Sequence, residues 1–264
     1  MTSTTDPDPK VGTSQSRVRT EVRGHVLIVT MTRPEKRNAI DGEMTLAIDD
    51  ALNRLDDDPS LWIGVITGGP DMFSAGTDMA ATSGPPTERG GVYGLVGRSR
   101  VKPLIAAVEG VALGGGFEMV MACDLVVAAD NARFGLPEVK RGLVATSGAL
   151  FRTARVLPLN VAKQLLMTGA EISPAEAHRL GLVNEVTEPG GALDAALVLA
   201  ATIATNAPIA VQQSLRVVDT LTSVDDDEGW AITTEARRII GQSEDSTEGI
   251  NAFFEKRSPR WTGR

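Results

Sequence analysis

The sequence predicts an α/β fold, followed by a region that is almost entirely helical. Four runs rich in β-branched and aliphatic residues are typical of strands, helical segments separate them, and the runs cover residues 25–31, 61–67, 103–108 and 125–129. From residue 192 onward, apolar residues recur at the three- and four-residue spacing of amphipathic helices. Strands that alternate with helices favour parallel pairing through right-handed crossovers. We therefore expect a core over residues 19–191 and a helical region over residues 192–264.

The composition excludes several classes of partner and of site. The 264 residues include 26 Lys and Arg against 34 Asp and Glu, and this net charge of −8 argues against nucleic acid or a membrane as a partner. The single cysteine, Cys123, excludes an intrachain disulfide. Only two histidines are present, His25 and His178, so a three-histidine metal centre is impossible. No targeting segment or membrane span is apparent, and the expected location is cytoplasmic.

The elements at the N-terminus have clear boundary signals. Residues 1–18 are rich in Thr, Ser, Asp and Pro, and we expect them to be a disordered tail. After the first strand, Asp41 has the position of a helix N-cap, because Met44, Ile48 and Leu52 follow it at helical spacing. The pattern predicts an amphipathic helix between the first two strands.

The segment over residues 80–100 is the least regular part of the predicted core. It contains Gly84-Pro85-Pro86 and Gly90-Gly91, and its apolar residues show no periodicity. Glycine and proline interrupt both helices and strands. We expect this segment to be a mobile, partly helical flap.

Two segments are unusual for a scaffold. Three consecutive glycines, 114–116, stand at the start of a short helix predicted over residues 117–122. Free backbone N–H groups and the positive end of a helix favour an oxyanion there, although a tight strand-to-helix turn would use glycine as well. The loop over residues 73–78 is built from small residues, which suit either a ligand lying against the backbone or an ordinary loop.

Two glutamates accompany these segments. Glu118 has the apolar neighbours Phe117 and Met119, so it is either a solvent-facing residue or a buried acid with a raised pKa. Glu138 follows Pro137, where an acid commonly complements a helix dipole. The residues alone leave a structural and a catalytic role open for both.

Taken in order, these segments resemble the crotonase (enoyl-CoA hydratase/isomerase) superfamily. The similarity spans roughly residues 20–260, and its motifs are Arg33-Pro34-x-x-x-Asn38-Ala39-Ile40, Val65-Ile66-Thr67-Gly68, Phe73-Ser74-Ala75-Gly76-Thr77-Asp78, Leu113-Gly114-Gly115-Gly116-Phe117-Glu118, Cys123-Asp124, Phe134-Gly135-x-Pro137-Glu138, Gly181-Leu182-Val183 and Phe253-x-Glu255-Lys256-Arg257. The resemblance implies a spiral of repeated β-β-α turns and a C-terminal helical trimerisation region. It also implies a homo-oligomer, either a trimer or a dimer of trimers.

The resemblance further implies an acyl-CoA thioester substrate, with coenzyme A as part of the substrate and with no further cofactor and no metal. The thioester oxygen would lie between the backbone N–H groups of Thr77 and Gly115, with Glu118 as the base that deprotonates water and Glu138 as the acid that delivers the α-proton. The residues implied to contact the CoA portion are Arg37, Ala39, Ala75, Gly76, Asp78 and Lys256. The flap over residues 80–100 would line the acyl pocket.

Glutamates at both acidic positions are the pattern of hydratases within this superfamily. The expected reaction is the reversible addition of water across the double bond of 2-enoyl-CoA, in fatty-acid or related acyl-CoA breakdown. A 3,2-enoyl-CoA isomerase, which can work with one glutamate near Glu138, stays open, and so does a thioesterase or decarboxylase. A catalytically weak acyl-CoA-binding protein is a further alternative, because residues 145–150 read Ala-Thr-Ser-Gly-Ala-Leu where hydratases usually carry a glycine-rich run.

Overall fold

A computed structural model describes residues 16–223 and 225–262 of the chain. The strands of this part are β1 (Val18–Arg23), β2 (Val26–Met31), β3 (Ile63–Thr67), β4 (Leu104–Val108), β5 (Val111–Leu113), β6 (Leu125–Ala129), β7 (Arg133–Gly135), β8 (Glu171–Ile172) and β9 (Glu185–Thr187). The helices are α1 (Gly42–Asp57), α2 (Gly115–Met121), α3 (Ala149–Val156), α4 (Leu159–Thr168), α5 (Pro174–Arg179), α6 (Ala192–Ala204), α7 (Pro208–Thr222), α8 (Asp226–Gly241) and α9 (Glu244–Glu255). Short 3-10 helices cover Pro34–Lys36, Val92–Gly94 and Pro137–Arg141.

The strands form two sheets. The larger sheet has the order β1-β2-β3-β4-β6-β9, in which β1 is antiparallel to β2 and every other pair is parallel. The smaller sheet has the order β5-β7-β8. Each parallel pair of the larger sheet needs a crossover, and the second sheet and α2 are built into those crossovers. The predicted α/β architecture with a C-terminal helical region is confirmed.

Both faces of the central strands β2, β3, β4 and β6 are covered, which explains why these strands read as nearly continuous apolar runs. Along β2, Leu27 and Val29 pack into the hydrophobic core on the α1 side. The alternate residues Val26 and Ile28 pack on the other face, against a stripe of alanines in α6: Ala192, Ala196 and Ala200. The first helix begins as predicted, because the Asp41 side chain accepts a 2.9 Å hydrogen bond from the Met44 amide.

Two expectations need correction. Residues 1–15 of the predicted tail lie outside the described residues, but Val18, assigned to that tail, is buried and already pairs with Met31 in β1. The flap is structured in its second half, where Tyr93, Leu95 and Val96 are buried in the core. Only the 3-10 turn Val92–Gly94 within it is helical. The glycines there support close backbone packing, which sequence composition cannot distinguish from an open loop.

The helices after α6 leave apolar side chains exposed. No residue of α7 is buried, and its exposed aliphatic residues include Ile209, Val217 and Leu221. Within the described part of the chain, no single helix is long and apolar enough to cross a membrane. The helices α6 and α7 reach that length and composition only as a pair bent by 107°.

Candidate active site

The site lies where the loop over residues 74–77 meets the start of α2. Ser74 pairs with β5, since its amide donates to the Val111 carbonyl over 2.9 Å and its carbonyl accepts from the Leu113 amide over 3.0 Å. Gly76 follows with a φ of +89°, and a Cβ at this position would lie 2.9 Å from the Gly115 nitrogen. Such an approach is too close for any side chain, so glycine is required here. The loop therefore brings the backbone of residue 77 against the start of α2.

The backbone N–H groups of Thr77 and Gly115 are available to a ligand. The neighbouring groups are paired: the Gly76 carbonyl accepts from the Ile40 amide over 2.8 Å, and the Asp78 amide donates to the Ile40 carbonyl over 2.9 Å. Among the hydrogen bonds of residues 16–223 and 225–262, neither the Thr77 amide nor the Gly115 amide has an acceptor. Gly115 is the first residue of α2, where an N–H group has no partner within the helix. The predicted oxyanion pair is thus brought together with its donors free.

The sequence left open whether Glu118 faces solvent or is a buried acid, and the structure shows that it is buried. Its residue is only 2% exposed. Its Oε1 accepts backbone hydrogen bonds from Ser147 over 2.6 Å and from Ala149 over 3.2 Å. These bonds favour the ionised form, but burial and the nearby charge of Glu138 outweigh them and raise the pKa of Glu118 to about 7.

Glu138, carried by the 3-10 helix Pro137–Arg141, also lies beside the start of α2. A Cβ placed on Gly114, next to the free Gly115 amide, would lie 3.1 Å from Glu138 Oε1. Its Oε2 is buried and has no hydrogen-bond partner among the described residues. Burial raises the pKa of Glu138 above its ordinary value. Two carboxyl groups that interact in a poorly solvated site hold a proton between them more readily than either would in water.

The loop over residues 33–40, predicted to contact CoA, packs directly on the loop over residues 74–77. The Arg37 carbonyl accepts a 3.0 Å hydrogen bond from the Ala75 amide. The buried Asn38 ties the two loops together, because its Nδ2 donates to the Phe73 carbonyl over 3.1 Å and its Oδ1 accepts from the Arg33 amide over 2.9 Å. These bonds leave the Arg37 side chain exposed.

The remaining predicted CoA contacts differ in their surroundings. Ala39 and Gly76 lie in the two paired loops described above. The Asp78 carboxylate is engaged within the chain, since its Oδ2 accepts a 2.7 Å hydrogen bond from Arg33. This ion pair lowers the pKa of Asp78. Lys256 is exposed just after α9, and no described contact joins it to these loops.

Tyr93, which sequence reasoning did not single out, lies at the centre of the site. Its hydroxyl is 2.8 Å from Thr77 Oγ1, and a Cβ on Gly115 would collide with that hydroxyl. The residue is 4% exposed. The sequence offered one signal for Tyr93, because it is the only tyrosine of the chain and lies within a glycine-rich run. No set of three or more His, Cys, Asp and Glu side chains in the described part of the chain is arranged to hold a metal ion.

Fold and site together define a class of enzyme. A pair of backbone N–H groups can stabilise negative charge on a carbonyl oxygen, and two buried carboxyl groups beside them can move protons. Enzymes that act on thioesters through an enolate need both features.

Comparison with known proteins identifies the family within this class. Residues 21–264 match the family model described as Enoyl-CoA hydratase/isomerase, and the chain belongs to this family. It is 41% identical over 254 residues to the enoyl-CoA hydratase EchA19 of Mycobacterium tuberculosis, covering 92% of this chain and 96% of the relative. It is 38% identical over 252 residues to a carnitinyl-CoA dehydratase of Salmonella paratyphi A, covering 91% and 96%.

A solved structure supports the same assignment. A carnitinyl-CoA dehydratase from Mycobacterium avium 104 is 45% identical, with a TM-score of 0.90 and coverage of 95% of this chain and 100% of the other. The predicted superfamily is confirmed, and so is the prediction of a hydro-lyase with hydratase or dehydratase activity on CoA thioesters.

Proposed function

We propose that the protein adds water reversibly across the double bond of 2-enoyl-CoA thioesters, with Glu118 as the base, Glu138 as the acid and the amides of Thr77 and Gly115 as the oxyanion site. The single observation that carries this proposal is the position of the two acids. Both approach the start of α2, beside the two N–H groups that have no acceptor in the described structure.

The oxyanion site supplies the electrostatic part of catalysis. Attack of water at Cβ of the enoyl group pushes an electron pair through the double bond onto the thioester oxygen. The amides of Thr77 and Gly115 donate hydrogen bonds to that oxygen as its negative charge grows. Each donor of this kind is worth about 3–4 kcal/mol in comparable sites, because it is oriented before the reaction begins.

The two glutamates carry the protons. Glu118, ionised and held at Oε1 by the Ser147 and Ala149 amides, takes a proton from the water as its oxygen bonds to Cβ. Glu138, protonated, gives its proton to Cα as the enolate collapses back to the thioester. Burial raises the pKa of both acids, so the pair retains a proton more readily than two exposed glutamates would, and that proton is available to Glu138 while Glu118 is ionised.

The altered run over residues 145–150 supports rather than opposes hydration. Two of the hydrogen bonds it makes with Glu118 come from the backbone N–H groups of Ser147 and Ala149, which persist whatever the side chains are. Replacement of glycines by Thr146 and Ala149 therefore leaves the hold on Glu118 in place. This observation disfavours a protein that only binds acyl-CoA.

The remaining parts of the proposal concern CoA and assembly. Arg37, Ala39, Ala75, Gly76 and Asp78, with Lys256 from the C-terminal region, bind the CoA portion, and no further cofactor takes part. The exposed aliphatic residues of α7 are covered in a homo-oligomer, a trimer or a dimer of trimers. This substrate fits a cytoplasmic enzyme that takes part in acyl-CoA breakdown. Sedimentation velocity on the purified protein tests the assembly, and a monomer at micromolar concentration would contradict it.

A screen of enoyl-CoA thioesters of graded chain length tests the reaction. Hydration of crotonyl-CoA or of a longer 2-enoyl-CoA is expected, whereas migration of the double bond in 3-enoyl-CoA faster than hydration would favour an isomerase. The screen should include carnitinyl-CoA in the dehydration direction, because two of the relatives carry that name.

A further inference from the structure

The Tyr93 hydroxyl lies beside both residues of the proposed oxyanion site, Thr77 and Gly115. It is 2.8 Å from Thr77 Oγ1, and it lies so close to Gly115 that no side chain could occupy position 115. Thr77 and Gly115 are the two residues whose free amides form the oxyanion site. The hydroxyl is therefore within reach of an atom bound between those amides.

The neighbours of this hydroxyl permit it to donate a hydrogen bond to a ligand. Thr77 Oγ1 lies at hydrogen-bonding distance from the Tyr93 oxygen, where either hydroxyl can be the donor, and the Ser147 side chain is a second partner that also bonds to Glu118. A threonine or serine hydroxyl can donate its own proton to a phenol oxygen, which has lone pairs to accept both. In that arrangement, the phenol proton points to a third group. No hydrogen bond joins Tyr93 to Glu118 or Glu138 among the described residues, so neither carboxylate takes that proton in this structure.

The loop that carries Tyr93 is built to fix its position. Tyr93 has a φ of +58°, in the left-handed region that a bulky residue seldom adopts. The loop is anchored to α1 through Asp49, whose Oδ1 accepts from Thr87 Oγ1 over 2.7 Å and from Arg98 Nη2. A strained backbone that tertiary contacts hold in place is a common feature of functional positions.

We infer that the Tyr93 hydroxyl is a third hydrogen-bond donor to the thioester oxygen, beside the amides of Thr77 and Gly115. The inference rests on the proposed function, because it takes the thioester as the ligand. No bond is made or broken at Tyr93, which donates a hydrogen bond throughout the reaction. Burial and the nearby charge of Glu118 raise the pKa of Tyr93, so the phenol stays protonated at every pH at which the enzyme works.

Tyr93→Phe is the direct test, because it removes the hydroxyl and keeps the ring in the core. The first readout is the infrared stretching frequency of the thioester carbonyl in bound butyryl-CoA, labelled with a heavy carbon isotope at the carbonyl. This saturated thioester does not react, so the frequency reports hydrogen bonding to the oxygen independently of turnover. The shift to lower frequency on binding is expected to be smaller in Tyr93→Phe than in the unmodified protein.

The second readout is the hydration of crotonyl-CoA. Loss of one preorganised donor is expected to lower kcat roughly tenfold or more, with a smaller change in KM. The affinity for free CoA, which has no thioester oxygen, serves as the control and is expected to be unchanged. Circular dichroism and thermal unfolding confirm that the variant is folded.

Either of two results would overturn the inference. One is an unchanged carbonyl frequency with an unchanged kcat. The other is a reduced kcat with an unchanged carbonyl frequency, which would show that Tyr93 acts only by packing. Failure of the proposed function is a separate result, since it would appear as an inactive unmodified protein whatever the carbonyl frequency in Tyr93→Phe.

Discussion

The backbone amide of Ser147 donates a 2.6 Å hydrogen bond to Oε1 of Glu118. This bond fixes one oxygen of a buried carboxyl group, and in the proposed mechanism the other oxygen takes the proton from water. It also crosses from the loop before α3 to α2, so the position of Glu118 depends on a segment far away in the sequence. The predictions below follow from this arrangement and from the neighbouring Glu138.

Glu118→Gln is expected to lower the rate of crotonyl-CoA hydration by roughly 10²- to 10⁴-fold, the range for loss of a general base. The amide oxygen of glutamine can still accept the Ser147 hydrogen bond, so the fold should persist. The measurement is kcat from the loss of the conjugated thioester absorbance. Glu109→Gln is the matched control, because Glu109 is also buried but its Oε1 accepts a 3.0 Å hydrogen bond from the Ala192 amide, away from the site. Comparable losses in the two variants would contradict a catalytic role for Glu118.

Glu138→Gln should lower the rate of crotonyl-CoA hydration to a similar degree, because glutamine cannot deliver a proton to Cα. The affinity for a saturated acyl-CoA should stay within about twofold, since the oxyanion amides are unchanged. Isothermal titration gives the affinity, and the absorbance assay gives the rate. If Glu138→Gln retained most of the hydration rate, the acid would have to be another group.

The pH dependence of the unmodified protein should report Glu118. The base must be ionised, and its pKa is raised to about 7, so kcat/KM is expected to fall as the pH drops below about 7. In Glu138→Gln the neighbouring charge is removed, which lowers the pKa of Glu118. The acid limb of its residual activity should therefore move to lower pH. An acid limb near pH 4.5, the ordinary value of a glutamate, in the unmodified protein would contradict the burial of Glu118.

The same shift should appear in the stability of the fold. The folded state binds a proton at Glu118 more tightly than the unfolded chain does, so this contribution to stability is complete below about pH 4.5 and is lost as the pH rises through about 7. Glu118→Gln lacks the titrating group. Its free energy of unfolding, from urea denaturation, should decline less over this interval than that of the unmodified protein. Equal declines in the two proteins would mean that Glu118 does not titrate in this range.

Gly76→Ala tests the contact that aligns the two amides. Alanine at a φ of +89° costs about 1–2 kcal/mol of backbone strain, and its Cβ would also collide with the Gly115 nitrogen. Gly190→Ala is the matched control, because Gly190 has a φ of +85° with nothing within 4 Å of the added Cβ. Both variants should lose stability in urea denaturation, but only Gly76→Ala should lose hydration activity. Equal activity in the two would argue against a role for the residue 76–115 contact.

Much of the scaffold could be predicted from local sequence patterns, because the strands and α1 have strong local signals. The N-cap at Asp41 and the apolar runs of β2 to β4 are of this kind. The strand β1 was missed because all its residues after Val18 are exposed, so it has no apolar pattern. A strand at the edge of a sheet is specified by its partner rather than by its own burial.

The site could be predicted only in part, because some of its residues have a local sequence signal and others do not. The glycines and glutamates carry recognisable motifs, and the structure brings Thr77, Gly115, Glu118 and Glu138 together. Whether Glu118 is buried could not be read from its apolar neighbours, because that pattern fits both a buried and an exposed helix face. Tyr93 was missed because its contacts are made through a left-handed backbone turn, which leaves no periodic signal.

The most direct test of the central claim is hydration of crotonyl-CoA in heavy water, followed by proton nuclear magnetic resonance. Paired proton transfer beside an oxyanion site predicts 3-hydroxybutyryl-CoA with a single deuterium on one face of Cα, formed by the unmodified protein and lost in Glu118→Gln and Glu138→Gln. Recovery of unchanged crotonyl-CoA, or of product labelled equally on both faces of Cα, would contradict it.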